Sequence, residues 1–210
     1  GANQVLRRWG NKPQFTFTPK AHWDIGKELG IIDSEKAAQV SGARFTYLKG
    51  DLAMLQFALI KLAMDTLTSQ GTLEKIIKEW TLSVEPKPFV PVLPPVFMRP
   101  QVMNRMARLD PIEDRFFFEK DDLILVGSAE HTMGPLHMDE TIEETRLPIR
   151  YVGYSTAFRR EAGSYGKDTK GILRQHQFDK IEMEGFTRPE DGLAEQEFFV
   201  AIQEYLMRQL

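Results

Sequence analysis

Within the stretch FRREAGSYGKDTKGILRQHQFDKIEMEGF, residues 158–186, charged and aromatic side chains recur at every second position. Side chains alternate across a β-strand, so residues two apart share a face. One predicted strand therefore groups Arg159 with Glu161. The next groups Arg174, His176, Phe178, Lys180 and Glu182. If the two strands pair through the 162–173 connection, two arginines, two glutamates and an aromatic ring meet on one sheet face. Such a face suits a nucleotide. Guanidinium forks match phosphate oxygens, a flat ring stacks on a purine, and a carboxylate accepts hydrogen bonds from an exocyclic amine or an ammonium.

The same alternation is compatible with a solvated face carrying cross-strand ion pairs. The connection argues for function. Structural hairpins favour loops of about two to five residues, whereas this one is longer and carries Gly163, Gly166 and Gly171 with Lys167 and Lys170. From Arg159 to Lys180 six basic residues stand against three acidic ones. A basic, glycine-rich loop over a charged sheet face is the kind of segment on which binding residues sit.

The elements that must position this face are legible in outline. Residues 1–20 read as loop with a short strand over Gln14–Thr18. Residues 21–41 read as two short helices separated by Gly30, the second capped near Asp33 or Ser34. Phe45–Lys49 reads as a strand. Residues 51–69 form a helix, with Leu52, Leu55, Leu59, Leu62 and Ala63 in one apolar stripe, and Met54 and Met64 read as core. A further helix covers Thr72–Trp80. Pro86 and Pro88 end helix formation, and Phe89–Val96 follows as an extended segment whose prolines suit a sheet edge or an interface. Residues 116–118 and 123–127 form a hairpin around Lys120–Asp122. An acidic helix is expected over 139–145, long strands over 149–158 and 174–184, and a closing amphipathic helix over 192–208 with Phe198, Ala201, Ile202 and Tyr205 on one face. Helices mixed with antiparallel strands point to an α+β fold.

Composition sets bounds. The 210 residues suffice for one sizeable core. With 42% apolar and 27% charged residues the balance is that of a soluble globular protein. No apolar run is long enough to span a membrane, and the N-terminal GANQVLRRWGNKPQF lacks the apolar segment of a secretory signal. The absence of cysteine excludes disulfides and thiolate zinc sites and fits a reducing cytosol. A net charge of −3 makes the whole chain no magnet for nucleic acid. His131 and His137 read as ordinary polar residues, because no third metal ligand is evident. His22–Trp23 reads as core packing with a capping contact.

Phe158–Glu161, the loop, and Arg174–Phe178 together resemble motif 2 of class II aminoacyl-tRNA synthetases, and the wording FRREAGSYGKDTKGILRQHQFDKIE is similar to the seryl-tRNA synthetase version. The segments NQVLRRWG, PKAHWDIGKELGIID and VSGARFTYLKGDLAMLQFALIKLAMD are similar to that family's entry into its catalytic domain. VLPPVFMRP resembles the end of motif 1. The resemblance covers nearly the whole chain, with weak matches over Trp80–Pro88 and Gln101–Phe116. It implies a class II antiparallel sheet flanked by helices, with motif 1 at about 53–95, a serine-binding loop at 128–130 and motif 2 at about 149–184.

For single residues the resemblance implies the following. Arg159 binds the ATP α-phosphate and the serine carboxylate, beside Arg160. Glu161 holds the adenine amino group, Arg174 reaches the terminal phosphates, and Phe178 stacks on adenine. Glu130 takes the substrate ammonium and Glu182 helps bind serine. The family's Thr-x-Glu loop appears here as Ser128–Ala129–Glu130, with the hydroxyl retained and the methyl lost. The implied activity is that of a cytoplasmic serine-tRNA ligase: serine, ATP and Mg²⁺ give seryl-adenylate, and tRNA(Ser) then accepts the seryl group. The implied assembly is a homodimer through motif 1. The family's N-terminal tRNA-binding arm and its motif 3 find no counterpart in these 210 residues, so the sheet is expected to be incomplete on its C-terminal side and the chain alone nearly inactive. Two other readings remain at this level. A synthetase-like ligase that charges a carrier protein is disfavoured by the lack of a cysteine zinc ligand. A non-catalytic dimerisation or RNA-contact module is disfavoured by the intact motif 2 residues.

Overall fold

The computed structural model describes residues 3–5, 7–161 and 170–210. Gly163, Gly166 and Lys167, on which part of the loop argument rests, lie outside the described residues. From the N-terminus, α1 (His22–Glu28) leads through β1 (Ile32–Asp33) into α2 (Ser34–Ser41). Asp33 accepts a hydrogen bond from the Lys36 amide, the N-cap expected there. β2 (Tyr47–Leu48) pairs antiparallel with β1. The leucine- and alanine-rich run forms α3 (Asp51–Thr68), and Ser69 caps α4 (Gln70–Glu79) by accepting from the Thr72 amide.

The proline-rich segment supplies β3 (Val90–Val92), followed by β4 (Phe97–Met98) and α5 (Pro100–Arg105). β5 (Phe117–Phe118) and β6 (Leu123–Leu125) form the expected hairpin. The chain then forms α6 (Glu130–Met133), β7 (Ile149–Phe158), β8 (Gln177–Phe186) and α7 (Gly192–Met207).

β7 and β8 are antiparallel partners along their whole length, from Ile149 opposite Phe186 to Phe158 opposite Gln177. β3 adds to the far side of β7 in parallel, giving the order β3-β7-β8 and placing the prolines at the edge they require. A second small sheet has the order β4-β6-β5. The Phe158 amide donates to the Val126 carbonyl at 2.8 Å, which ties the end of β7 to the strand that delivers Ser128.

The two faces of the β7–β8 ribbon do different work. One face packs Val152, Ile181 and Met183 with Phe89, Leu67, Leu73, Ile76 and the Phe198–Ala201–Ile202 side of α7. Arg150 sits in this core at 1% exposure. It donates to Glu195 Oε2 at 2.9 Å and to the carbonyls of Glu85 and Lys87 at 2.7 and 2.9 Å, and its guanidinium lies 4.7 Å from the Phe198 ring. The other face carries Tyr151, Gly153, Ser155 and Ala157 beside Phe178, Lys180, Glu182 and Glu184. A Cβ at Gly153 would lie 1.8 Å from Met133 Sδ, so the bare glycine is what lets α6 settle on this face.

Four expectations are corrected. Gln14–Thr18 forms no strand: Phe15 and Phe17 are exposed, and the segment bends with no strand to pair with among the described residues. The acidic helix over 139–145 reduces to one 3-10 turn at Glu144–Arg146. Asp139 adopts φ 63° and bonds Arg105, and the closely spaced Asp139, Glu140, Glu143 and Glu144 repel one another without an apolar stripe to fold onto. The second long strand starts at Gln177, not Arg174, and runs on to Phe186. On α3, Met54, Leu55 and Leu59 are exposed rather than core, because the sheet and α7 cover only the side bearing Met64 and Leu67.

Candidate active site

Three segments build the site: the end of β7, the residues entering β8, and the turn after β6. Arg159 directly follows β7. Its amide donates to the His176 carbonyl at 3.0 Å, and His176 Nδ1 lies 2.9 Å from the Arg159 carbonyl, so the ribbon stays closed past its strand ends. Arg159 Nε donates to the Gly127 carbonyl at 3.1 Å, and its guanidinium carbon stands 5.3 Å from the Phe178 ring centre. An arginine and a ring thus share one spot on the face, anchored to the turn that carries Ser128.

Glu161 and Arg174 form an ion pair. Strand alternation is not what unites them. Glu161 has φ 54°, in the left-handed region, and Arg174 precedes β8. The turn out of β7 and the entry into β8 bring the two together. Arg160 departs from the group: it is exposed, with its guanidinium 5.1 Å from the Phe116 ring. His176 is a packing residue, its ring 5.3 Å from Phe45 and 6.1 Å edge-on to Phe116.

At the other end of the face, the Ser128 hydroxyl donates to Glu182, and Lys180 Nζ lies 2.7 Å from the same carboxylate oxygen. The Glu130 amide reaches Ser128 Oγ at 3.3 Å, and Ala129 is fully buried beneath the turn. Glu130 accepts from Arg108 Nε and Nη2 at 3.0 and 2.8 Å. The sequence-selected residues Ser128, Glu130, Arg159, Phe178 and Glu182 are therefore brought together on one side of the ribbon, with Ala129 buried beneath them and Glu161 and Arg174 at the rim.

Two residues that sequence reasoning passed over complete the site. Arg108 comes from the Gln101–Phe116 region and carries no spacing signal that links it to Glu130. Glu184 was within reach, because it continues the Phe178, Lys180, Glu182 alternation. Burial first, then the neighbouring Glu130 and Glu182 carboxylates, push Glu184 up to about 7.

The histidines resolve as structural. His131 is buried and accepts the Gly127 amide at Nδ1, 3.2 Å away. Burial, then the nearby Arg115 charge, holds it down at about 4, so it stays neutral and can keep accepting. His137 bonds the Tyr151 hydroxyl at 3.0 Å and Glu140 at 2.8 Å. His22 makes no helix cap. Its Nε2 accepts from the Ile172 amide at 3.0 Å, pinning the stretch before Arg174. Among the described residues, no group of three or more His, Cys, Asp or Glu side chains is arranged to hold a metal, and no single helix is long and apolar enough to cross a membrane.

Residues 115–206 match the tRNA synthetase class II core domain (G, H, P, S and T). The serine–tRNA ligase of Acidothermus cellulolyticus is 46% identical over 192 residues, covering 91% of this chain and 42% of that protein. The seryl-tRNA synthetase of Pyrococcus horikoshii, solved in complex with ATP, superposes with a TM-score of 0.79 at 36% identity over 93% of this chain and 40% of that one. The cytoplasmic serine–tRNA ligase of Naegleria fowleri, solved in complex with AMP, gives 0.78 at 30% identity over 96% and 45%. The chain thus spans less than half the length of the relatives it matches.

Proposed function

We propose that the chain, similar to seryl-tRNA synthetases over nearly all its length, belongs to the seryl branch of the class II tRNA synthetases and supplies the ATP- and serine-binding face of a serine-tRNA ligase. The observation that carries the reading is the convergence of Arg159 and Phe178 with Ser128, Glu130 and Glu182 on one side of the β7–β8 ribbon. A cation and a ring stand where a nucleotide would lie. A hydroxyl and carboxylates stand where an amino acid would present its ammonium and its own hydroxyl.

In the proposed reaction, a serine carboxylate oxygen attacks the α-phosphorus. The bond from that phosphorus to the bridging oxygen of the β-phosphate breaks, and pyrophosphate leaves. Arg159 binds the α-phosphate and the attacking carboxylate, lowering the cost of bringing two anions together. Phe178 stacks on adenine. Glu161 accepts from the adenine amine and Arg174 meets the outer phosphates, so the ion pair between them divides when ATP enters. Glu130 and Glu182 hold serine, with Ser128 fixing the Glu182 carboxylate. Arg160 is the peripheral member. In the second step the 3′-terminal hydroxyl of tRNA(Ser) attacks the seryl carbonyl carbon, and AMP departs.

Mg²⁺ would enter on the triphosphate. The described residues offer no gathered donor set for it. The segments at about 53–95, 128–130 and 149–184 take the parts of motif 1, serine loop and motif 2. A homodimer through the first and a cytoplasmic setting complete the proposal. No observation favours the carrier-protein ligase or the non-catalytic module.

The test is ATP–pyrophosphate exchange by the protein as its gene encodes it, with each of the twenty amino acids in turn. Exchange with serine above all others is expected. Exchange driven by proline or threonine instead would overturn the reading.

A further inference from the structure

On the face described above, Glu184 shares its strand side with Glu182 and lies near Glu130, and both carboxylates disfavour its charge. Two of them are already answered. Glu130 is held by Arg108, and Glu182 by Lys180 and the Ser128 hydroxyl. Glu184 has no hydrogen bond or ion pair among the described residues, although it is half-buried and lies directly across from Tyr151 on the ribbon. A partly desolvated carboxylate whose one favourable charge, Arg108, is already paired with Glu130 is costly to keep. A second unanswered group stands on the same face: Ser155 Oγ, in a residue only 4% exposed, has no partner and lies in the register between Phe178 and Glu182. A carboxylate short of a cation and a buried hydroxyl short of a partner both call for a small ligand bearing an ammonium and further polar atoms.

We propose that Glu184 is a third carboxylate of the amino-acid subsite, a binding residue that receives part of the substrate's ammonium charge and sets how tightly serine is held. The inference rests on the reading of this face as the serine site and adds a residue to it. The ammonium supplies the counterion that Glu184 lacks, while Glu130 and Glu182 keep their present partners. Binding therefore requires Glu184 ionised. The groups facing it are Glu182 on its own strand, Tyr151 across the ribbon, Glu130 on α6 and Arg108 beyond it. His137 and Glu140 stand behind the Tyr151 hydroxyl. A group that titrates near 7 and must be charged to bind makes affinity rise with pH through that value, by about tenfold between pH 6 and 8.

The experiment is serine-dependent ATP–pyrophosphate exchange by the gene's full product at pH 6 to 8, for wild type, Glu184→Gln and Glu184→Asp, with melting temperatures confirming the fold. In wild type the serine KM is expected to fall about tenfold across the range. Glu184→Gln is expected to raise it about tenfold at pH 8 and to flatten the slope, with the ATP KM unmoved and the loss on serine KM rather than on kcat. Glu184→Asp, still ionisable, is expected to keep a slope. If serine drives exchange but Glu184→Gln keeps the wild-type KM and slope, a group other than Glu184 governs the pH dependence. The inference then fails while the functional reading stands. If no amino acid drives exchange in the wild type, the functional reading fails and takes the inference with it.

Discussion

Arg159 is the residue on which the proposed chemistry leans most. It is held by the Gly127 carbonyl and set against Phe178 before any ligand arrives, so little reorganisation is left for the reaction itself. Arg159→Ala is expected to lower kcat/KM for pyrophosphate exchange by about 10²–10³, the scale for removing one preorganised charge-stabilising donor. A loss under threefold would place the guanidinium away from the phosphate. A site built around a hydroxyl rejects the analogue lacking it by about 10⁴, and Glu182, fixed by Ser128 and Lys180, is the expected partner of that hydroxyl. Glu182→Ala should shrink the serine-over-alanine ratio of kcat/KM, and an unchanged ratio would refute the assignment. Much of this site was legible from alternation and motif wording, because Phe178, Lys180 and Glu182 lie within a regular strand. Alternation places Glu161 and Arg174 on the strand faces, but the left-handed backbone at Glu161 breaks that period, and the two meet in an ion pair through the turn instead. Arg108 was invisible, for its contact with Glu130 depends on how two loops meet and not on any spacing.

At the scale of elements, the ribbon is held in place by the buried pair of Arg150 and Glu195, which fastens β7 to α7 within the apolar core. Breaking a buried pair by deleting one partner strands the other charge. Glu195→Ala is therefore expected to cost about 3–5 kcal/mol of stability, read by denaturant unfolding, whereas the double change Arg150→Met with Glu195→Leu should recover much of that loss. A cost below about 1 kcal/mol for the single change would show that the pair does not anchor the ribbon. The sequence pattern located β7, β8 and α7 because each has a strong period. It missed this anchor because an arginine within the run IRYVGYSTAF reads as a polar break, not as a core residue. It also overcalled the acidic helix after α6, where composition favoured a helix but no apolar face existed to fold it.

For the whole molecule, the exposed side of α3 and the neighbouring edge strand is the surface left over once the core is closed. Met54, Leu55, Phe57 and Leu59 are exposed on α3, as are Val90 at the start of β3 and Leu93 just after it. The sequence stripe on α3 signalled an apolar face correctly but could not tell a core from an interface, since both remove the same side chains from water. If this surface is the proposed motif 1 interface, the gene's product sediments as a dimer at micromolar concentration and Phe57→Glu converts it to a monomer. A wild type that sediments as a clean monomer would refute the interface.

One face of the β7–β8 ribbon is proposed to hold adenine, phosphate and serine together. Calorimetric titration with 5′-O-(seryl-sulfamoyl)adenosine, a stable mimic of seryl-adenylate, tests this most directly, using the gene's product and its Phe178→Ala and Glu182→Ala variants. The expected result is one ligand bound per chain, with affinity falling at least tenfold in each variant and the prolyl analogue binding far more weakly. Equal binding of the seryl and prolyl analogues, or seryl binding that neither variant weakens, would contradict it.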